Sequence, residues 1–401
     1  MRNGTRQVIR FILLLVAFLA GGGLTSLPER AGSTAASVAT MNEANIDRIA
    51  RPVERQPGDW PSDLAVQIGP VEVIRGPDTV TDNPFNTLSG SSTLSGYLAN
   101  STTVGYIGGS LETLRLFSSA VLQPGTGFDS CGAWLNSAWQ DDSLTRAWYH
   151  AETACNYPET HKSVAYAESY DGGQTFIKPN YPANQVITAP ANYTHPDEDD
   201  EGDHHVLQVG NYLYLYFIPS RDWQLRLARS HIDDGGLPGT WHKYYNGSFS
   251  EPGLGGESSP LDPTGALTRS WISFNTYLNA YMGFSYVARN GEFAGFGFTM
   301  SPDGITDWGA LPYLVLQTER EFWGPPDTEL VEYPSMASIY GDSDNIGNVF
   351  WLYYMLLNPG DDFQNRYLVR RKIWLTNAAS PAPIDTMPRI ALSKYVNGND
   401  T

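Results

Sequence analysis

Ser169-Tyr170-Asp171-Gly172-Gly173-Gln174-Thr175-Phe176 decides the fold, because the stretch returns in altered form further along the chain. Ser301-Pro302-Asp303-Gly304-Ile305-Thr306-Asp307-Trp308 repeats its Ser-x-Asp-Gly core and its closing aromatic. Asp233-Asp234-Gly235-Gly236, running on to Trp241, is a looser third version. Asp at such a turn bonds neighbouring backbone N–H groups, and the Gly behind it can take φ > 0. The closing aromatic is expected to pack over the hairpin.

Working outward, each turn is preceded by two strand-like runs. Arg146–Glu152 and Ser163–Ser169 precede the first, Tyr212–Phe217 and Leu225–Ser230 the second, Ala280–Tyr286 and Gly295–Ser301 the third. Val349–Tyr354 and Tyr367–Trp374 repeat the pair without the turn, and Thr103–Ile107 with Leu114–Ser118 suggests an earlier copy. With an inner strand before each pair and a fourth strand after the turn, the unit is one propeller blade. Five units fill the globular part, so the expected fold is an all-β, five-bladed β-propeller over residues 60–396.

The turns carry a resemblance. Ser169–Phe176 is similar to the Asp-box of sialidases and other propeller proteins. Ser301-Pro302-Asp303-Gly304 with Trp308 resembles blade ends in five-bladed glycosidases of the arabinanase/xylosidase and invertase-like families. The resemblance implies a glycoside hydrolase-like protein acting on a poly- or oligosaccharide. It also implies that the Asp-box turns are structural and lie away from the chemistry. Neither a sialidase arginine triad nor an Asn-Asp-Pro-Asn-Gly motif is evident.

In a propeller, ligands are expected where inner strands begin and second strands end. Asp129, in the loop before the second blade, resembles the acid that opens blades in the five-bladed glycosidases, and so does Glu332 ahead of Pro334. Period-two alternation puts His150 and Glu152 on one face of their strand. Glycoside hydrolysis needs two carboxyls about 5–10 Å apart, one protonated and one ionised. The expected roles are Asp129 as base or nucleophile and Glu332 or Glu152 as acid. His150, His205, Arg221, Glu257 and Trp134 would bind substrate. Trp139, Trp223 and Trp323 are further stacking candidates, against the commoner use of such rings between blades. Asp203, in the acidic run Asp197–Asp203, is the candidate ligand for a calcium ion. Hydrolysis itself calls for no cofactor. The rival reading is a carbohydrate-binding or structural propeller without catalysis.

Composition sets the remaining bounds. Net charge is −18, with 43 acidic and 25 basic residues and no visible basic patch, which argues against nucleic acid. Arg2, Arg6 and Arg10 precede an apolar run over Phe11–Ala20, then Gly21-Gly22-Gly23. That pattern predicts a signal peptide over 1–26, export to a secreted or periplasmic location, and no further membrane segment. An uncleaved anchor is the alternative. Residues 27–59 read as a flexible arm. The two cysteines, Cys131 and Cys155, either pair across one blade or stay as buried thiols.

Overall fold

A computed structural model describes residues 64–377, apart from 91–92, 142–143, 156–159, 191–200, 263–266, 290–291, 309–312 and 318–328. The expected signal peptide and arm lie outside the described residues, as do Trp323 and most of the acidic run before Asp203.

The described strands form the five-bladed propeller that the repeats predict. β1 (Leu64–Ile68) and β2 (Glu72–Asp78) come first. Blade 1 follows as β3 (Asn86–Ser89), β4 (Leu94–Asn100), β5 (Thr102–Gly108) and β6 (Arg115–Leu122). Blade 2 is β7 (Gly132–Asp141), β8 (Leu144–Glu152), β9 (Lys162–Ser169) and β10 (Gln185–Ile187). Blade 3 is β11 (Glu201–Val209), β12 (Tyr212–Pro219), β13 (Arg226–His231), β14 (His242–Tyr245) and β15 (Ser248–Pro252). Blade 4 is β16 (Trp271–Asn275), β17 (Ala280–Arg289), β18 (Glu292–Ser301) and β19 (Tyr313–Gln317). Blade 5 holds β20 (Leu330–Ser338), β22 (Val349–Leu357) and β23 (Arg366–Asn377), while β21 (Asn345–Ile346) crosses to pair in parallel with β16 of blade 4.

Blade 5 is completed by the first of the described strands. β1 lies antiparallel on β23, from Leu64 opposite Asn377 to Ile68 opposite Ile373. Joining first strand to last closes the ring and protects the outer edge of β23. Nothing in the repeat announces this strand, because it has no turn of its own. Cys131 and Cys155 form a disulfide beside β7, with their Cα atoms 5.0 Å apart.

Five apolar clusters fill the five gaps between blades. One joins blades 1 and 2 through Tyr97, Leu135 and Tyr149, and the next joins blades 2 and 3 through Trp148, Tyr166 and Leu215. Tyr216, Ile272 and Trp308 join blades 3 and 4, Phe284 and Leu352 join blades 4 and 5, and Leu98 and Trp351 close blade 5 on blade 1. The strand alternation therefore serves two cores at once, one on each side of every blade.

Register reveals a ring of equivalent positions. Tyr97, Trp148, Tyr216, Phe284 and Tyr353 face Asn86, Ser137, His205, Trp271 and Ser335 across the first two strands of successive blades. All five aromatics are buried. Three of them reach the repeated turn of the next blade. Tyr97 Oη donates to Gly173 O at 2.9 Å, Trp148 Nε1 to Gly236 O at 3.0 Å, and Tyr216 Oη to Gly304 O at 3.1 Å. Blade 5 has no such turn, and the corresponding residue before it is Phe284, which has no donor.

The turns are built to hold that carbonyl. Asp171 Oδ1 accepts from the N–H groups of Gln174 and Thr175, both at 2.9 Å, and Asp303 Oδ1 from those of Ile305 and Thr306, both at 2.8 Å. Gly173 has φ 85°, and a Cβ there would stand 2.2 Å from Tyr97 Oη. Only glycine permits both the turn and the approach.

Tyr216→Phe should leave Gly304 O buried without its donor. We expect a loss of about 1–2 kcal/mol in urea unfolding, since an unmet buried polar group costs that order. Phe284→Leu, which removes no hydrogen bond, tests the packing contribution at the equivalent position separately.

Candidate active site

Two inner strands buckle where they begin. The pairing of β11 with β12 slips between Gly202 and His205, and that of β20 with β22 slips between Glu332 and Ser335. Such bulges re-aim side chains. Four non-glycine residues beside them sit in left-handed backbone: Asp203 (φ 40°), Trp223 (φ 57°), Arg269 (φ 48°) and Tyr333 (φ 53°). For Trp223, Arg269 and Tyr333 the conformation is strained, and such strain persists where surrounding structure holds it. Asp203, Arg269 and Tyr333 line one cavity of about 20 Å³ with Pro84, His204, Ser270, Trp271, Tyr286 and Pro334. That is room for about one water molecule.

Asp203 lines this cavity, and three further carboxyls, from blades 1, 2 and 5, lie near enough to be linked to it through charge or a shared partner. Glu332, only 2% exposed, accepts from Tyr286 Oη and lies 3.4 Å from Arg269 Nη1. Among the described residues its Oε1 has no hydrogen-bond partner. Burial pushes this carboxyl up to about 7, against the pull of Arg269 and Tyr286, and the negative charge of Asp203 adds to the rise. Asp82, in the loop before β3, pairs with Arg366 at 2.5 Å and stays 23% exposed. Burial raises it to about 6 against Arg366, with repulsion from Glu152 and Asp203 contributing. Asp203 is also desolvated, but His150, Lys162 and Arg269 outweigh that and hold it below the usual carboxylate range.

His150 ties two of the acids together. Its Nδ1 accepts from the backbone N–H of Asp203 at 3.0 Å. Nε2 therefore carries the proton in the neutral ring and donates to Glu152 Oε1 at 3.0 Å. Trp134, edge-on to His150 at 5.4 Å, locks the imidazole. A Cβ on Gly202 would lie 2.2 Å from His150 Nδ1, so this contact also requires glycine.

The residues expected from sequence divide accordingly. Glu332, Glu152, His150 and Asp203 come together, with Trp134 behind them. His205 lies one step deeper, stacked on Trp271 at 3.8 Å and 3.9 Å from Asp344 Oδ1. Arg221 belongs to a neighbouring ionic group, 3.4 Å from Glu201 and 3.1 Å from Ser258 Oγ. Glu257 acts electrostatically on Lys243 of that group, which is buried against Glu201 and the carbonyls of Thr188 and Gly256. Asp129 is fully enclosed on the outer side of its blade. Lys178 and Tyr149 take its Oδ2, and Tyr181 and the Gly125 N–H take its Oδ1. Trp139 bonds Gln208 at 3.2 Å, and Trp223 has the Arg269 guanidinium 3.9 Å over its ring.

Asp82, Arg269, Tyr286 and Tyr333 were not singled out from the sequence. For Asp82 a signal exists. Asp82-Asn83-Pro84 has the same acid-x-Pro form as Glu332-Tyr333-Pro334, and both stand where an inner strand begins.

A raised carboxyl binds its proton more tightly folded than unfolded. Stability from Glu332 is therefore complete below the ordinary carboxylate range and drains away as pH climbs to about 7. Glu332→Gln keeps the neutral form at all pH values. It should match the wild type near pH 4 and exceed it at pH 8, by up to about 3 kcal/mol, in urea titrations at the two pH values.

A scan against protein-family models finds no match, and no curated protein is significantly similar in sequence. Solved structures are similar in fold. The catalytic domain of a GH62 α-L-arabinofuranosidase from Coprinopsis cinerea is 12% identical, with a TM-score of 0.51, over 80% of this chain and 100% of that one. A family 117 glycoside hydrolase of the marine bacterium Zobellia galactanivorans is 9% identical, with a TM-score of 0.51, over 83% of this chain and 97% of that one. The chain thus has the architecture of the five-bladed glycoside hydrolases.

Proposed function

We propose that the protein is an exported glycoside hydrolase that cleaves a poly- or oligosaccharide with carboxyls at the mouth of the propeller channel. The observation that carries this reading is the proximity of three acids, Glu332, Asp82 and Asp203, whose environments separate their proton affinities. Such separation is how one site supplies an acid and a base at a single pH. Glu332, held protonated up to about 7, is the general acid. Asp82, partly exposed and ionised above about 6, is the base. Asp203 stays ionised, and its charge raises both neighbours. Glu152 and His150 are positioning residues that hold Asp203 through its backbone. Arg269 and Tyr286 orient Glu332. The base role moves from Asp129 to Asp82 because both Asp129 oxygens are already taken.

Calcium does not suit Asp203, whose flanking groups are His150, Lys162 and Arg269. The ion takes six to eight oxygen ligands. Among the described residues no group of three or more His, Cys, Asp or Glu is placed to hold a metal. Export rests on the charged-then-apolar start of the chain and on the Cys131–Cys155 disulfide, which suits an oxidising compartment. Among the described residues no helix is long and apolar enough to cross a membrane.

Released reducing ends from a panel of plant, algal and bacterial glycans test the proposal. On the responsive glycan, Glu332→Gln and Asp82→Asn should each lower kcat by about 10²–10⁴-fold. The pH profile should be bell-shaped, rising through about 6 as Asp82 ionises and falling through about 7 as Glu332 loses its proton. Release from no glycan would favour a binding propeller, and undiminished kcat in both variants would overturn the assigned roles.

A further inference from the structure

We propose that a cleft on blade 3, on the face of the propeller opposite the carboxyls, binds a neutral glycan. Its ligand class rests on the carbohydrate-active reading above, but its geometry does not. The carboxyls gather where inner strands begin and second strands end. The cleft gathers the other ends: Tyr212 opens β12, His231 closes β13 and His242 opens β14. Its volume is about 460 Å³, within the usual range for small-molecule sites.

The cleft is walled by a fixed aromatic stack. The Arg229 guanidinium lies 4.3 Å from the Tyr212 ring centroid and 4.1 Å from that of Phe249. His231 meets Tyr212 edge-on at 5.2 Å, and Tyr214 and Tyr244 brace Phe249 at 5.8 and 5.2 Å. These rings are half-buried or better, so the wall is preorganised. Asp234, Thr240 and His242, the last paired across the strands with Arg229, complete the lining. A sugar ring has an apolar C–H face and a rim of hydroxyls that both donate and accept. Flat rings beside a guanidinium, a carboxylate, a hydroxyl and imidazoles match that pattern.

Charge selects the neutral case. Arg229 and Asp234 balance within the cleft, and a chain of net charge −18 repels polyanions. One glycan strand cannot occupy the carboxyl site and this cleft at once by a short path, because they open on opposite faces. The cleft would instead hold a neighbouring strand of an insoluble polymer and keep the protein on its substrate.

Depletion from solution by insoluble arabinoxylan and insoluble galactan tests this. Phe249→Ala and His242→Trp, the second filling the cleft from an exposed position, should weaken binding to the polymer that retains wild type by about tenfold. Tyr170→Ala, which removes an exposed ring on blade 2, should bind as wild type does. Unchanged binding by both cleft variants, or no retention of wild type on either polymer, would overturn the proposal. Retention lost in the cleft variants, with no glycan cleaved by wild type, would leave the cleft standing and remove the hydrolase reading.

Discussion

The hydrogen bond from a buried second-strand aromatic to the turn carbonyl of the next blade is the constraint on which the rest of the structure depends. A blade packs on its neighbours through apolar faces, and apolar packing alone is weakly directional. The bonds from Tyr97, Trp148 and Tyr216 add direction at the outer part of three interfaces. They set how far one blade slides along the next. They thereby set the height at which successive inner strands begin, and those beginnings carry the carboxyls. The repeated Asp-Gly turns lie outside the carboxyl cluster, yet they bear on its geometry through the ring.

The site shows the opposite local physics. At the turns Asp171 and Asp303 each collect several backbone N–H groups, and Gly172, Gly173 and Gly304 take the positive φ that glycine favours. At the channel mouth Asp203, Trp223, Arg269 and Tyr333 adopt backbone that favours glycine, and Glu332 Oε1 is buried with no partner among the described residues. Each departure costs free energy, of the order of 1–3 kcal/mol for a strained residue. The raised Glu332 carboxyl is a further cost at neutral pH, because its burial is tolerated only while it keeps its proton. These costs fall together at one spot, surrounded by five fully packed interfaces. That is the distribution expected where function rather than folding selects the residues.

The fold was legible because its signals are local. An Asp-Gly turn states its backbone conformation within a few residues, and a Tyr-rich alternating run states its strand. The closing strand β1 was not legible, since its partner β23 lies at the far end of the described chain and the pairing uses backbone groups alone. The site was partly legible. His150 and Glu152 follow from alternation, and Asp203 and Glu332 from their position before inner strands. Asp129 shares that position but turns outward to Lys178, Tyr149 and Tyr181, because side-chain direction in a loop depends on partners distant in sequence. Arg269 and Tyr333 act through unusual φ angles, and nothing in an Arg or a Tyr announces a left-handed backbone.

The lower end of the channel bears on how the upper end works. Residues 341–346 leave blade 5, meet blade 1 through the bond from Thr87 Oγ1 to Gly341 O at 2.7 Å, and meet blade 4 through the bond from Ser273 Oγ to Ser343 O at 2.7 Å. The crossing binds three blades below the carboxyls and brings Asp344 within 3.9 Å of His205. Burial raises the Asp344 carboxyl to about 8 and lowers the His205 imidazole to about 3, so both are neutral near pH 6. A neutral floor matters to the acids above it. A charged aspartate there would add another repulsion to carboxyls already crowded at the mouth, and a charged imidazole would pull them down. With Asp344 and His205 uncharged in that range, the proton affinities of Glu332 and Asp82 are set by Asp203, Glu152, Arg269 and Arg366 among the near charges. The separation of those affinities then depends on the mouth itself, which is where a substrate would alter it.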